Sequence, residues 1–147
     1  MLNASHMLIR LRRSLSRSVK NYRRLPFMQF VAFLLVGAIN TLLGLLIIFA
    51  AKFLFGAGDI VANGLGYGIG LCVSFFLNGR FTFSSVGEFA PAFRRFVLAA
   101  AISYFLNLAV VMLAIDQFYL DGYLAQAIGV PVYTISFYFL AKHFVFR

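Results

Sequence analysis

The chain has 147 residues, of which 63% are hydrophobic and 12% are charged, and its formal net charge is +9 at pH 7. So few charged side chains cannot cover the polar surface that a water-soluble domain needs. Cys72 is the only cysteine, which excludes an intramolecular disulfide, and one Cys with two His cannot build a metal cluster. The composition predicts an integral membrane protein without a metal or a cofactor.

The N-terminal segment, residues 1–26, is basic, rich in serine and free of acidic residues. Its large apolar residues recur every three or four positions: Leu8, Leu11, Leu15, Val19 and Tyr22. This spacing favours an amphipathic helix that lies on the membrane surface with its cations against anionic headgroups. A disordered tail that only sets the topology is the alternative, and a mitochondrial transit peptide would have a similar composition.

The rest of the chain, residues 27–147, forms one predicted membrane domain. Four long stretches carry no Lys, Arg, Asp or Glu: 25–51, 60–79, 96–115 and 122–141. About 20 residues of helix cross a bilayer core of roughly 30 Å. The sequence therefore predicts an all-α fold with four transmembrane helices, at about 29–52, 60–79, 95–116 and 122–141.

The cations lie almost entirely on one side of these four spans. The N-terminal segment, the loop after the second span and the C-terminus together carry every Lys and Arg except Lys52. Three of the four acidic residues lie on the side of Lys52: Asp59, Asp116 and Asp121. Because Lys and Arg stay cytoplasmic in short loops, this distribution predicts that both termini are cytoplasmic.

The second and fourth spans end alike, in the segments 77–83 and 140–146. Each segment pairs a cation with two alternating phenylalanines. The first and third spans both follow a pair of arginines. We interpret the chain as two hairpins that leave the cytoplasm and return to it, which makes the repeat parallel and brings both cationic ends to one leaflet.

Those cationic ends are candidate phosphate sites. Arg80 offers a planar fork of donors suited to phosphate oxygens, and Lys142 and His143 offer donors at the equivalent end of the fourth span. Arg94 and Arg95 would widen the basic rim. The alternative is that these cations only anchor helix ends at the interface, as topology alone predicts for Arg94 and Arg95.

Uncharged polar residues inside the spans are candidates for a sugar path: Asn40, Thr41, Asn78 and Asn107. An Asn that faces lipid is costly, so these side chains point inward or form hydrogen bonds between helices. Small residues that permit close helix packing form a second set: Gly37, Gly64, Gly66, Gly68 and Gly70. A flexible helix that lets a lipid headgroup pass is the alternative for the glycines.

Several functions are disfavoured because their chemistry has no residues here. No acidic residue lies within a span, so a drug antiporter built on a buried carboxylate has no candidate. The chain also lacks a carboxylate pair for magnesium, a nucleophile with a base and a phosphate-binding glycine loop, which argues against an enzyme. Topology explains the net positive charge, so nucleic acid is not a predicted partner.

Two segments resemble the GtrA-like family of small membrane proteins. They are the run 30–41, which contains Gly37, Asn40 and Thr41, and the run 78–83, which contains Arg80. The resemblance covers about 30–146. It implies movement of a polyprenyl-phosphate sugar from the cytoplasmic to the outer leaflet of the bacterial inner membrane, for glycosylation of cell-envelope polysaccharides.

Two functional hypotheses follow. The first is the flippase that the resemblance implies, in which the basic ends engage the phosphate, the Asn residues engage the sugar, and aromatic residues contact the isoprenoid tail. The second is a non-transporting adaptor that anchors a membrane glycosyltransferase through the basic segment and the second loop. Because four spans leave little room for a headgroup, we also expect a homo-oligomer, most simply a dimer.

Overall fold

The computed structural model describes residues 25–83 and 88–147, and within them every regular element is helical. The elements in chain order are α1 (Pro26–Phe55), α2 (Asp59–Leu77), a first π-turn (Asn78–Thr82), α3 (Phe89–Asp116), α4 (Gly122–Leu140) and a second π-turn (Ala141–Val145). The predicted amphipathic helix falls on residues 1–24, outside the described residues.

Local sequence explains where the helices begin and end. Pro26 occupies the first turn of α1, where its missing N–H has no intrahelical acceptor to lose. Gly56 ends α1 in the left-handed conformation at φ 61°, and its N–H donates to the carbonyls of Ala51 and Lys52. The carboxylate of Asp121 caps α4 by accepting hydrogen bonds from the backbone N–H groups of Tyr123 and Leu124.

Lipid, and not water, must surround the four helices. Each is long and apolar enough to cross a bilayer, and large apolar side chains such as Ile60, which is 91% exposed, cover the outside. An apolar surface of this extent would drive aggregation in water but is the ordinary surface of a bilayer-spanning bundle. The chain is a multi-pass membrane protein, and the predictions of an all-helical fold and four spans are confirmed.

The helices pack as two hairpins, α1 against α2 and α3 against α4. At Gly66 in α2, an added Cβ would lie 2.5 Å from Cγ1 of Ile48 and 3.0 Å from the backbone oxygen of Gly44 in α1. At Gly129 in α4, it would lie 2.6 Å from Cγ2 of Val111 in α3. Each hairpin therefore depends on one glycine that lets two helix backbones approach closely.

An aromatic core joins the two hairpins. Its members come from the start of α1 and α3 and from the end of α2 and α4: Phe33, Phe75, Phe96, Phe137, Tyr138 and Phe146. The ring of Phe75 lies 5.4 Å from that of Phe96, and the ring of Phe33 lies 5.6 Å from that of Tyr138. Edge-to-face and offset pairs of this kind add to the stabilisation from buried area.

Residues 63 positions apart occupy matching places in the two hairpins. Ala62 and Ala125 are both fully buried, and the close-packed Gly66 corresponds to Gly129. Gly56 corresponds to Tyr119, which is the only non-glycine residue with a positive φ in the described chain, at 52°. The same turn closes both hairpins, although only the first has glycine at the left-handed position.

The two π-turns also match at this spacing. Each follows its helix directly, and each is closed by a backbone hydrogen bond of 2.9 Å, from Phe83 to Asn78 and from Phe146 to Ala141. The closing phenylalanines, Phe83 and Phe146, stack with ring centroids 5.1 Å apart. The two cation-bearing turns therefore lie side by side at one end of the bundle. π-helical turns occur often at functional sites.

Candidate functional site

A cavity of about 650 Å³ lies between α1, α2 and α4. It extends from Phe33 and Asn78, beside the aromatic core, along α1 to Ile48, and Tyr133 and Phe137 of α4 form its opposite wall. A volume of this size is typical of small-molecule sites. No residue that lines the cavity carries a charge, so the cavity suits a neutral group.

The polar side chains in the cavity are mostly hydrogen-bonded within their own helices. The hydroxyl of Thr41 donates to the carbonyl of Gly37 at 3.0 Å, and the hydroxyl of Thr134 donates to the carbonyl of Val130 at 2.9 Å. Such bonds satisfy the hydroxyl hydrogen and leave the oxygen lone pairs free to accept. The two threonines therefore present acceptors to the cavity.

Asn40 differs, because its amide makes no hydrogen bond within the described part of the chain. Its Oδ1 is enclosed without a donor, and the amide packs against Gly70, where an added Cβ would lie 3.5 Å from both Oδ1 and Nδ2. An unpaired amide away from water is costly, so this group stands ready to bind a ligand.

Asn78 lines the cavity and is itself buried in a small network. Its Nδ2 donates to the carbonyl of Ser74 at 2.9 Å and to the hydroxyl at 3.2 Å, and its Oδ1 accepts from the hydroxyl of Thr82 at 3.0 Å. The network fixes the side chain at the junction of α2 and the first π-turn. The main role of Asn78 is therefore to hold this junction beside the cavity.

The candidate cations of the second π-turn lie against aromatic rings. Nζ of Lys142 is 5.5 Å from the ring centroid of Tyr138 and 3.4 Å from its hydroxyl, which in turn donates to the carbonyl of Pro26 at 3.0 Å. The ring of His143 stacks on Phe139 with centroids 6.2 Å apart. These contacts hold the Lys142 ammonium group and the His143 ring at the end of α4, and the contact with Tyr138 leaves the charge of Lys142 in place.

The remaining candidates surround the same end of the bundle. Arg95 lies with its guanidinium 5.9 Å from the ring centroid of Phe144, while Arg94 and Arg80 are exposed. Within residues 25–83 and 88–147, no ion pair or hydrogen bond engages Arg80. When the two π-turns are aligned residue by residue, Arg80 corresponds to His143 and Gly79 corresponds to Lys142. Arg80 and Lys142 are therefore one position out of register with each other.

Three of the four predicted path residues come together and one does not. Asn40, Thr41 and Asn78 line the same cavity, whereas Asn107 lies between α3 and α4, with its Nδ2 2.8 Å from the position of an added Cβ on Gly129. Of the five predicted packing glycines, Gly66 is tightly packed and Gly70 is in ordinary contact. An added Cβ would meet no atom within 4 Å at the other three: Gly37, Gly64 and Gly68.

Sequence analysis missed Ser74 and the α4 wall of the cavity, including Tyr133. Comparison of the sequence with itself at an offset of 63 residues would have drawn attention to them, since Gly70 and Ser74 align with Tyr133 and Phe137. The described chain contains no group of three or more His, Cys, Asp or Glu that could hold a metal ion.

Comparison with protein families gives one match. The family described as GtrA/DPMS, transmembrane domain, matches residues 32–146. The matched range begins in the second turn of α1 and ends one residue after the second π-turn. Searches of curated proteins and of solved structures find no match. The matched region contains the whole cavity and both π-turns.

Proposed function

The chain belongs to the GtrA/DPMS transmembrane-domain family, and on this basis we propose that it moves a polyprenyl-phosphate-linked sugar from the cytoplasmic to the outer leaflet of the bacterial inner membrane. Family membership indicates a role in handling polyprenyl-phosphate sugars, and the family is generally non-catalytic. The direction of transport, the membrane and the cell-envelope polysaccharide that receives the sugar are parts of the proposal.

The observation that carries the proposal is an uncharged cavity, mostly apolar with a few polar side chains, that begins beside a cationic helix end. Asn78 lines the cavity, and Arg80 follows it by two residues in the same π-turn. A lipid-linked sugar has an anionic phosphate, a neutral sugar and an apolar tail, and these three parts match the cationic end, the cavity and the lipid-facing surface. We assign the phosphate to Arg80, Lys142 and His143, with Arg94 and Arg95 widening the basic rim.

The sugar contacts in this proposal are Asn40 and Thr41, with Asn78 at the entrance. Asn107 lies outside the cavity, so its predicted contact with the sugar depends on a rearrangement of α3 and α4. Of the glycines that lack neighbours within 4 Å, Gly37 lines the cavity, whereas Gly64 and Gly68 leave open surface on α2 outside it. We propose that a second copy of the chain packs there, so that cross-linking in lipid gives a dimer.

The proposal includes an orientation and a repeat. We propose that both termini are cytoplasmic, because Lys52 is the only cation on the opposite side, and that the hairpins are a parallel repeat. Support for the repeat comes from the matching glycines, turns and π-turns at an offset of 63 residues. A parallel repeat would bring the phosphate-binding candidates to the cytoplasmic leaflet, where the lipid-linked sugar is made.

Leaflet exchange of a labelled polyprenyl-phosphate sugar, in liposomes that contain only this protein, tests transport. We expect exchange with the wild type and at least a tenfold lower rate with Arg80→Gln, because the fork of donors is lost. Lys52→Gln is the matched control: it also removes one cation, but at the opposite end, where Lys52 pairs only with Asp59. Equal exchange by wild type and Arg80→Gln would contradict the assigned site.

The alternative is an adaptor that anchors a membrane glycosyltransferase through residues 1–24 and the second loop. It gains support if well-folded protein catalyses no exchange. Deletion of residues 8–24 then separates the two functions: an adaptor loses recruitment of the enzyme to membranes, whereas a flippase keeps leaflet exchange. Recruitment that survives the deletion would remove the main argument for an adaptor.

A further inference from the structure

The cavity lies where the two hairpins differ most. At the positions of Gly70 and Ser74 in α2, the second hairpin carries Tyr133 and Phe137 in α4. Both small residues line the cavity, and the two rings that replace them form the facing wall. The cavity is therefore not a packing defect shared by both halves, because it results from small residues in one half alone.

The same asymmetry affects hydrogen bonding. Ser103 occupies the position in α3 that Asn40 occupies in α1; it is fully buried, and its hydroxyl donates to the carbonyl of Ala99 at 2.8 Å. Asn40 has no such bond within residues 25–83 and 88–147, and its Oδ1 is enclosed and unpaired. The second hairpin thus satisfies its own polar group, whereas the first presents an unpaired amide at the cavity.

The cavity disfavours charged ligand groups because no charged side chain lines it. No cationic side chain lines it, so a carboxylate or a phosphate would lose its hydration without gaining a counter-ion. No anionic side chain lines it either, which disfavours an ammonium group. The hydroxyls of Thr41 and Thr134 have already donated and can only accept, whereas Tyr67 and Tyr133, which also line the cavity, carry hydroxyls that can donate. The lining therefore favours a ligand group that both donates and accepts.

A hydroxyl group meets all these conditions. It is neutral, it donates to the threonine oxygens, and it both donates and accepts, so it pairs with the Asn40 amide in either orientation. An isoprenoid tail would fill the volume but leave the Asn40 amide without a hydrogen bond, which costs free energy. On the outer, lipid-facing surface of the bundle the tail meets no such unpaired amide.

We infer that the cavity between α1, α2 and α4 binds the sugar of the lipid only when that sugar is uncharged, and that Gly70 and Ser74 set the size of sugar admitted. This inference rests on the proposed function for the identity of the lipid. Beyond the proposed function, the inference excludes uronic acids and amino sugars as substrates. It also confines the sugar to the space between α1, α2 and α4.

A competition assay with the full chain in lipid nanodiscs tests the inference. One radiolabelled lipid is bound to the protein, and three unlabelled lipids are compared by how well each displaces it. The competitors are a C15 polyprenyl-phosphate glucose, the same lipid with glucuronate, and the same polyprenyl phosphate without a sugar. We expect the glucose lipid to bind at least about tenfold more tightly than the other two, since hydroxyl pairing is worth about that factor. Equal binding of all three would overturn the inference.

Variants taken from the second hairpin locate the preference. Ser74→Phe fills the cavity with the side chain that the second hairpin has at Phe137. Asn40→Ser introduces the side chain that the second hairpin has at Ser103, whose hydroxyl bonds to a carbonyl of its own helix. We expect both to bind the glucose lipid no better than the bare phosphate lipid. Ile60→Phe adds the same ring to α2 at a position that is 91% exposed and outside the cavity lining, and it should keep the tenfold preference.

Because Ser74→Phe also removes a hydrogen-bond partner of Asn78, Asn40→Ser decides the matter if the first variant unfolds. A preference retained in Asn40→Ser would overturn the inference. Leaflet exchange measured in parallel separates the two claims. If the protein prefers the glucose lipid but catalyses no leaflet exchange, the transport proposal fails and the cavity assignment stands. If it catalyses exchange but shows no preference for the glucose lipid, the cavity assignment fails and the transport proposal stands.

Discussion

At the scale of single residues, the interior shows how polar groups are accommodated where no water is available. Ser103 and Thr41 bond to the carbonyl four residues earlier in their own helices. Ser74, Asn78 and Thr82 bond to one another along one face. None of these bonds needs a second helix, so polar residues that the sequence offered as bridges between helices instead stabilise the turns on which they lie.

Thr82→Val tests the network of Ser74, Asn78 and Thr82. The change keeps the shape but removes the donor to Oδ1 of Asn78, which is then buried without a partner, and we expect a loss of about 1 to 3 kcal/mol in the free energy of unfolding. Adding Asn78→Ala should restore most of that loss, because the matching residues of the second hairpin, Val145 and Ala141, are apolar. Reversible unfolding in mixed micelles measures both variants. A double variant that is less stable than Thr82→Val would contradict this account.

At the scale of the helices, one glycine controls the approach of α1 to α2. Gly66→Ala places a Cβ against Ile48 and the backbone oxygen of Gly44, so we expect the helices to separate at a cost of about 1 to 3 kcal/mol. Gly64→Ala, two residues earlier, meets nothing and should leave stability unchanged or slightly raised, because alanine favours a helix. Thermal midpoints in detergent compare the two. Equal midpoints would mean that the α1–α2 contact is looser than described.

The aromatic core is the corresponding feature between the hairpins. Phe146 is buried and its ring lies near those of Phe75, Phe83 and Phe96. We expect Phe146→Ala to cost about 3 to 5 kcal/mol, as is usual for a large buried ring. Phe53→Ala, at an 89% exposed position that faces lipid, is the matched control and should cost little. If both variants unfold alike, the hairpins are not held together by this core.

The number and extent of the helices could be predicted because they depend on composition alone, which sets the length of each charge-free stretch. The π-turns could not, since nothing in local propensity distinguishes a π-turn at 78–82 from a last turn of α-helix. The cavity was also missed, because it depends on the absence of side chains at Gly70 and Ser74. The sequence offers Asn40 as a path residue, which stays a prediction, and its unpaired amide could be recognised only from the three-dimensional contacts.

At the scale of the whole molecule, two helical hairpins share a single core. The matching glycines and turns preserve the packing of each hairpin, and the aromatic residues join them at the end that carries the cations. Small residues of α2, Gly70 and Ser74, leave the cavity between α1, α2 and α4. A bundle of this kind separates its tasks by position, because the cations of the π-turns lie at one end and the cavity between the helices is lined by uncharged residues.

The orientation of this bundle in the membrane can be tested directly. Because every Lys and Arg of the described residues except Lys52 lies toward the end of the π-turns, we expect that end in the cytoplasm. In a Cys72→Ser background, a membrane-impermeant maleimide added to intact cells should label Ala57→Cys, in the turn between α1 and α2, but not Glu88→Cys, before α3. Permeabilised cells should label both, which controls for accessibility. Labelling of Glu88→Cys alone in intact cells would invert the orientation and place the proposed phosphate site in the outer leaflet.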